Sequence, residues 1–153
     1  MPSTDITIRK AEPKDIGHIV RFNLAMALET EGLELDPTKI HLGVDGLFAK
    51  PHFGFYVVAE VGAEIAGGLM ITYEWSDWRN KVFWWVQSVY VRPEFRGQGI
   101  YRKLYEAVKR MAAEADCCGF RLYVERNNSV AQDVYRKLGM RESHYDMFED
   151  HHM

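Results

Sequence analysis

Residues 91–115 read VRPEFRGQGIYRKLYEAVKRMAAEA, and two glycines, Gly97 and Gly99, stand one residue apart between an apolar run and a long amphipathic stretch. After them Ile100, Leu104, Ala107, Val108, Met111 and Ala115 recur at helical spacing, while Arg102, Lys103, Glu106, Lys109 and Arg110 mark the opposite face. Before them KVFWWVQSVYV, residues 81–91, has the β-branched and aromatic content of a strand. A strand entering a helix through a glycine turn gathers unpaired backbone N–H groups and the positive helix end at one point, which makes a phosphate site. Gly97 and Gly99 let a ligand approach the backbone closely, and Arg96, Arg102 and Lys103 add positive charge. The chain has no G-x-x-x-x-G-K-[ST], and the third glycine of the dinucleotide fingerprint is missing. An isolated G-x-G would more often be a plain turn, so the surrounding elements must decide.

Working outward, ITIRKA from Ile6 alternates as a half-buried strand, and Ile16, Ile19, Val20 and Leu24 follow at helical spacing. The acidic EGLELDPT, residues 31–38, breaks that helix before a weaker one through Ile40, Val44 and Leu47. Residues 53–75 carry two β-rich runs separated by Gly62, Ala63 and Glu64, an antiparallel hairpin. Beyond the glycine-loop helix, FRLYVE reads as a strand, Ser129 with Gln132 as a capping box, Gly139 as a helix stop, and MRESHYDMFED as a last strand. The order predicts an α/β (α+β) fold in one domain over residues 1–153, with a mixed, mainly antiparallel central sheet flanked by helices.

A length of 153 residues, 47% of them hydrophobic, suits one domain with a real core, and a formal charge of −3 argues against a nucleic-acid partner. Residues 1–10 lack a leader pattern and no apolar run approaches a spanning length, so no membrane association and a cytoplasmic setting are expected. Cys117 and Cys118 are adjacent, which suits packing thiols rather than a disulfide framework. His144, His151 and His152 lack metal-ligand spacing, so no metal is expected.

RPEFRGQGIY, set between strand and helix, resembles the acyl-CoA signature R/Q-x-x-G-x-G/A of the GNAT superfamily of N-acyltransferases: Arg96 and Gly99 match and Tyr101 departs. A second mark of that family, an Asn followed seven residues later by Tyr at the start of the next helix, is present in ERNNSVAQDVYRKLGM as Asn128, Ala131 and Tyr135. The two motifs in this order are far more specific than either alone. The resemblance implies acetyl-CoA as cofactor, with its pyrophosphate on the amides of Arg96, Gly97, Gln98, Gly99, Ile100, Tyr101 and Arg102. The pantetheine arm would run beside Val89, Tyr90 and Val91 and meet Asn128. Tyr101 is then tolerable, because only its amide is required. A homodimer is also implied.

The same resemblance implies an N-acetyltransferase acting on a small primary amine, with an amide near Val89 stabilising developing oxyanion charge and Tyr135 as general acid. Core packing is the alternative for Tyr135, since Ala131, Val134 and Leu138 share its apolar face. The spermidine/spermine acetyltransferase branch is similar in the hairpin and central strand, but Gln87 stands where that branch has a glutamate. A neutral amide cannot take the ammonium proton as a carboxylate does. Glu74 is the expected substitute base, with Glu125 and a water relay behind it. The acceptor would meet Gln87, Trp75 and Glu29, drawn from a wider group of aromatics (Tyr73, Trp78, Trp84, Tyr90) and the acidic elbow, a lining that suits an organic cation. A non-catalytic acyl-CoA-binding module and a protein N-acetyltransferase are the competing readings.

Overall fold

The computed structural model describes residues 5–152, so the leader reading falls partly outside them. The alternating ITIRK forms β1 (Ile6–Lys10), and a 3-10 turn at Pro13–Asp15 leads into α1 (Ile16–Glu31). Gly32, left-handed at φ 62°, ends α1 by sending its N–H back to the helix carbonyls. Asp36 caps α2 (Pro37–Ala49) by accepting from the Thr38 N–H at 3.0 Å, with Pro37 in the first position, where its missing N–H costs nothing. β2 (Gly54–Val61), β3 (Glu64–Ser76) and β4 (Lys81–Val91) follow, then α3 (Ile100–Glu114) and the short β5 (Gly119–Arg121). The second helix-capping signal belongs to α4 (Ser129–Lys137).

The five strands pair in the order β1-β2-β3-β4-β5, antiparallel except for the parallel β4–β5 pair. Val57, Val58 and Ala59 of β2 are fully buried because the sheet is covered on both faces. On one face Ile100, Leu104 and Val108 of α3 pack with Val57, Ile71, Trp84 and Val86. On the other, Ile19, Val20 and Phe22 of α1 and Val44 of α2 pack with Tyr56, Val58 and Tyr90. The apolar stripe of α3 is as expected at Ile100, Leu104, Ala107 and Val108, while Tyr105 and Ala112 are also buried, Met111 is half-buried and Ala115 is exposed.

Asp15 ties β1 to the start of α1. Arg9 donates to both its oxygens at 2.8 and 3.0 Å and to Glu60 of β2 at 2.8 Å, and the Glu12 N–H adds a bond of 2.7 Å to Asp15. Burial works to raise the Asp15 pKa, but the bonds from Arg9 and the Glu12 amide outweigh it and leave the carboxyl below its ordinary value.

The chain divides into two compact units, residues 1–122 and 123–153. Toward the C-terminus, three readings are corrected. The expected strand FRLYVE is ordered as strand only over Gly119–Arg121, at the end of the first unit. The cap of α4 is Asn128 rather than Ser129: its side chain accepts from the Ala131 N–H at 3.1 Å, and Gln132 bonds instead to the carbonyls of Glu125 and Arg126. Residues 140–152 contain no strand; Ser143 accepts from the Tyr145 N–H and Asp150 from the His152 N–H, local bonds that compete with a ladder. Gly139, at φ 92°, does follow the helix as a stop.

Candidate active site

β4 carries the irregularity that shapes the site. Gly68 pairs with Tyr90 and Met70 with Gln87, so Leu69 alone opposes Ser88 and Val89, and Ser88 is left-handed at φ 52°. One extra residue turns every later side chain to the other face. Hence Trp84 and Val86 pack under α3, whereas Tyr90 packs beneath α1 against Phe22, ring centroids 5.4 Å apart. β5 pairs with β4 from Phe83 to Trp85, ahead of the bulge at Ser88 and Val89. Gly67 permits the close approach of β3 here, since a Cβ would meet the Tyr90 carbonyl oxygen at 2.5 Å and the Val91 Cα at 3.1 Å. Gly67→Ala is therefore expected to lower stability by ~1–3 kcal/mol through overpacking, read as a fall in thermal midpoint.

Past Val91 a 3-10 turn, Pro93–Phe95, delivers the chain to the glycine loop. Gly97 and Gly99 sit at φ 78° and 79°, and no heavy atom stands within 4 Å of where a Cβ on either would lie. Gly99 caps α3, whose first intrahelical bond runs from the Lys103 N–H to the Gly99 carbonyl, so Ile100, Tyr101 and Arg102 have no acceptor for their N–H within the helix. A cavity of about 130 Å³ opens here, lined by Val91, Phe95, Arg96, Gly97, Gly99, Ile100 and Tyr101. Tyr101 is an ordinary residue of the first helical turn, which needs no glycine.

The Arg96 side chain bonds to the end of β4 and to α1. Its Nε donates to the Val91 carbonyl at 2.8 Å and its Nη2 to Glu29 of α1 at 2.8 Å, with the guanidinium 5.4 Å from the Tyr90 ring centre. The Tyr90 hydroxyl donates to the other Glu29 oxygen at 2.9 Å. Arg96 first, and Tyr90 second, hold the Glu29 carboxyl below its ordinary pKa. Glu29, expected at the acceptor, is thus engaged within the protein. Arg102 and Lys103, in the first turn of α3, are exposed cations beside the loop.

On the face of β3 and β4 shared by Thr72, Glu74, Trp85 and Gln87, polar groups pair diagonally. Gln87 Nε2 donates to Thr72 Oγ1 at 2.7 Å, and Trp85 Nε1 donates to Glu74 at 2.7 Å. Arg121 of β5 adds two bonds to Glu74, at 3.0 and 2.9 Å, and lies 3.8 Å over the Phe83 ring. The Trp85 bond first, then Arg121, keeps Glu74 below its ordinary pKa against an upward push from burial. Glu74, expected as the general base, thus has both oxygens engaged by Trp85 and Arg121. Sequence reasoning missed Arg121, whose pairing with Glu74 spans 47 positions. Of the aromatic group, Trp84 and Tyr90 are core, while Trp75 and Trp78 are 60% and 86% exposed.

In the second unit, Ala131 and Tyr135 are one turn apart on α4, on the same face, and Asn128 spends its carboxamide oxygen on the cap. The seven-residue spacing thus places the three motif residues at the cap and along one face of one helix.

A family model described as "Acetyltransferase (GNAT) family" matches residues 22–140. The chain belongs to the acetyltransferase (GNAT) family. This GNAT chain is 35% identical over 148 residues to the thialysine N-epsilon-acetyltransferase of Sus scrofa, covering 90% of this chain and 85% of the relative. It is 32% identical to the enzyme of that name from Bos taurus, with the same coverage. Among solved structures it resembles "a possible acetyltransferase from Clostridium difficile 630" at 41% identity and TM-score 0.91, covering 97% of this chain and 98% of that one. A Clostridium acetobutylicum acetyltransferase solved with acetyl-CoA shares the fold at TM-score 0.77 and 21% identity, covering 97% of this chain and 100% of that one. The GNAT chain is accordingly an N-acetyltransferase whose cofactor is acetyl-CoA.

Proposed function

We propose that this enzyme transfers the acetyl group of acetyl-CoA to a primary amine of a small molecule by direct attack of the amine on the thioester. The observation that carries the reading is the open glycine cradle at the start of α3, reached from a strand that bulges and loses its ladder to β5 just before it. When bound, the cofactor supplies an activated acetyl thioester and a thiolate leaving group.

The cradle fits a diphosphate: a Cβ at Gly97 or Gly99 would stand in otherwise open space, and the α3 N-terminus offers N–H groups and the positive end of its dipole. The chain's part is to hold the phosphates on the amides of residues 96–102 and to lay the pantetheine along Val89, Tyr90 and Val91. The Val89 N–H would donate to the acyl oxygen, where negative charge develops, and Tyr135 would hold a proton for the departing sulfur. Asn128 and Ala131 support the cofactor from the cap of α4.

The acceptor lies beside Gln87 and Trp75. The names of the mammalian relatives favour a short aminoalkyl side chain such as that of thialysine over a polyamine, and Gln87 fits, because it presents no carboxylate to attract a polycation. With Gln87 neutral and Glu74 ion-paired, the amine enters in its neutral form rather than losing its proton to a side chain. The rate constant kcat/KM is then expected to climb about tenfold per pH unit between about pH 6 and 8, levelling only near the pKa of the amine itself. Stopped assays with thialysine and lysine, analysed by mass spectrometry for a monoacetylated primary amine, test the reading. A profile that levels at one pH for amines of different basicity would instead reveal a base in the protein.

A further inference from the structure

Glu29 bridges the cofactor-side strand and the glycine loop, and it comes from neither. It stands on the last turns of α1, yet one oxygen accepts from Tyr90 at 2.9 Å and the other from Arg96 at 2.8 Å. Arg96 in turn binds the carbonyl of Val91 at 2.8 Å, five residues before it. Val91, Arg96 and Tyr101 line the cavity at the head of the loop. The loop has two glycines in the left-handed region and is entered through Arg96, whose side chain ties it back to the strand end.

We propose that Glu29 is a positioning residue for the cofactor: it clamps Arg96 and Tyr90 into one hydrogen-bonded unit that sets the strand end and the mouth of the glycine loop before acetyl-CoA arrives. The clamp also directs the Arg96 guanidinium toward α1, so that the loop's backbone amides, with exposed Arg102 and Lys103, receive the phosphates. Ordering the loop in advance removes a cost that binding would otherwise carry. Glu29 lies just before the Gly32–Asp36 elbow between α1 and α2, so the clamp also joins that elbow to the loop. The inference rests on acetyl-CoA as the cofactor and is independent of which amine is the acceptor.

Calorimetric titration of the full chain with coenzyme A, which requires no turnover, tests it. Glu29→Ala is expected to weaken binding about tenfold and to raise the KM for acetyl-CoA similarly, with kcat at saturation within about twofold of wild type. Glu29→Gln, which keeps an acceptor and nearly the same shape, is expected to recover part of the loss, and it serves should the alanine variant fail to fold. Adding Arg96→Gln to Glu29→Gln is expected to cost little beyond the larger single effect, because both break one unit. Binding by either Glu29 variant within twofold of wild type, fully additive losses, or a fall confined to kcat would each overturn the proposal. A wild-type chain that does not bind coenzyme A would overturn it together with its premise.

Discussion

Tyr135→Phe is expected to lower kcat by about 10²–10⁴-fold while leaving coenzyme A affinity within about twofold, the size of effect ordinarily lost with a general acid. The substitution removes one oxygen and keeps the ring, so the packing of α4 and its Asn128 cap persist. A phenol beside the sulfur supplies the proton that the departing thiolate needs, and Phe cannot. Steady-state kinetics with a good acceptor, beside a calorimetric measurement of cofactor binding, separates the two effects. Unchanged turnover would return Tyr135 to the packing role that its apolar neighbours on the helix also suit.

Arg9→Ala is expected to destabilise the fold by ~3–5 kcal/mol, because it strips the partner from a buried carboxylate. Asp15 is 2% exposed and receives two of its bonds from Arg9, which also holds Glu60. For a chain of this length that loss corresponds to a fall of roughly 10 °C in thermal midpoint. Removing both charges, as in Arg9→Met with Asp15→Leu, is expected to recover most of it, because the uncompensated charge and not the missing bond carries the cost. The pH dependence has a definite sign. With the folded Asp15 pKa depressed, its contribution is fully present above the unfolded value of ~3.9 and disappears as pH falls through the folded one. Thermal melts of wild type and Arg9→Ala should therefore converge only as pH falls below the unfolded value of ~3.9 and through the depressed folded one. Equal melts at pH 7 would show that the ion pair contributes nothing.

Features encoded locally were legible in the sequence. The glycine loop, the amphipathic α3 and the β2–β3 hairpin are written within a few consecutive residues, and periods of 2 and 3.6 expose them. What escaped depends on partners far apart in the chain: Arg121 on Glu74, and Arg96, 67 positions on, on Glu29. The bulge at Ser88 and Val89 was hidden in an apparently continuous strand, although paired glycines on the facing strand, Gly67 and Gly68, are a signal of close backbone approach. The tail misled for a different reason. MRESHYDMFED has enough aromatic and apolar residues to resemble a strand, but Ser143 and Asp150 supply the adjacent backbone with bonds of its own.

Release of free thiol from acetyl-CoA, followed over many turnovers with thialysine, lysine, polyamines, aminoglycosides and short peptides offered in turn, tests the central claim most directly. Steady release that depends on the amine, strongest with a short aminoalkyl acceptor, is the predicted result. Tight binding of acetyl-CoA with no amine-dependent release across the whole panel would contradict it.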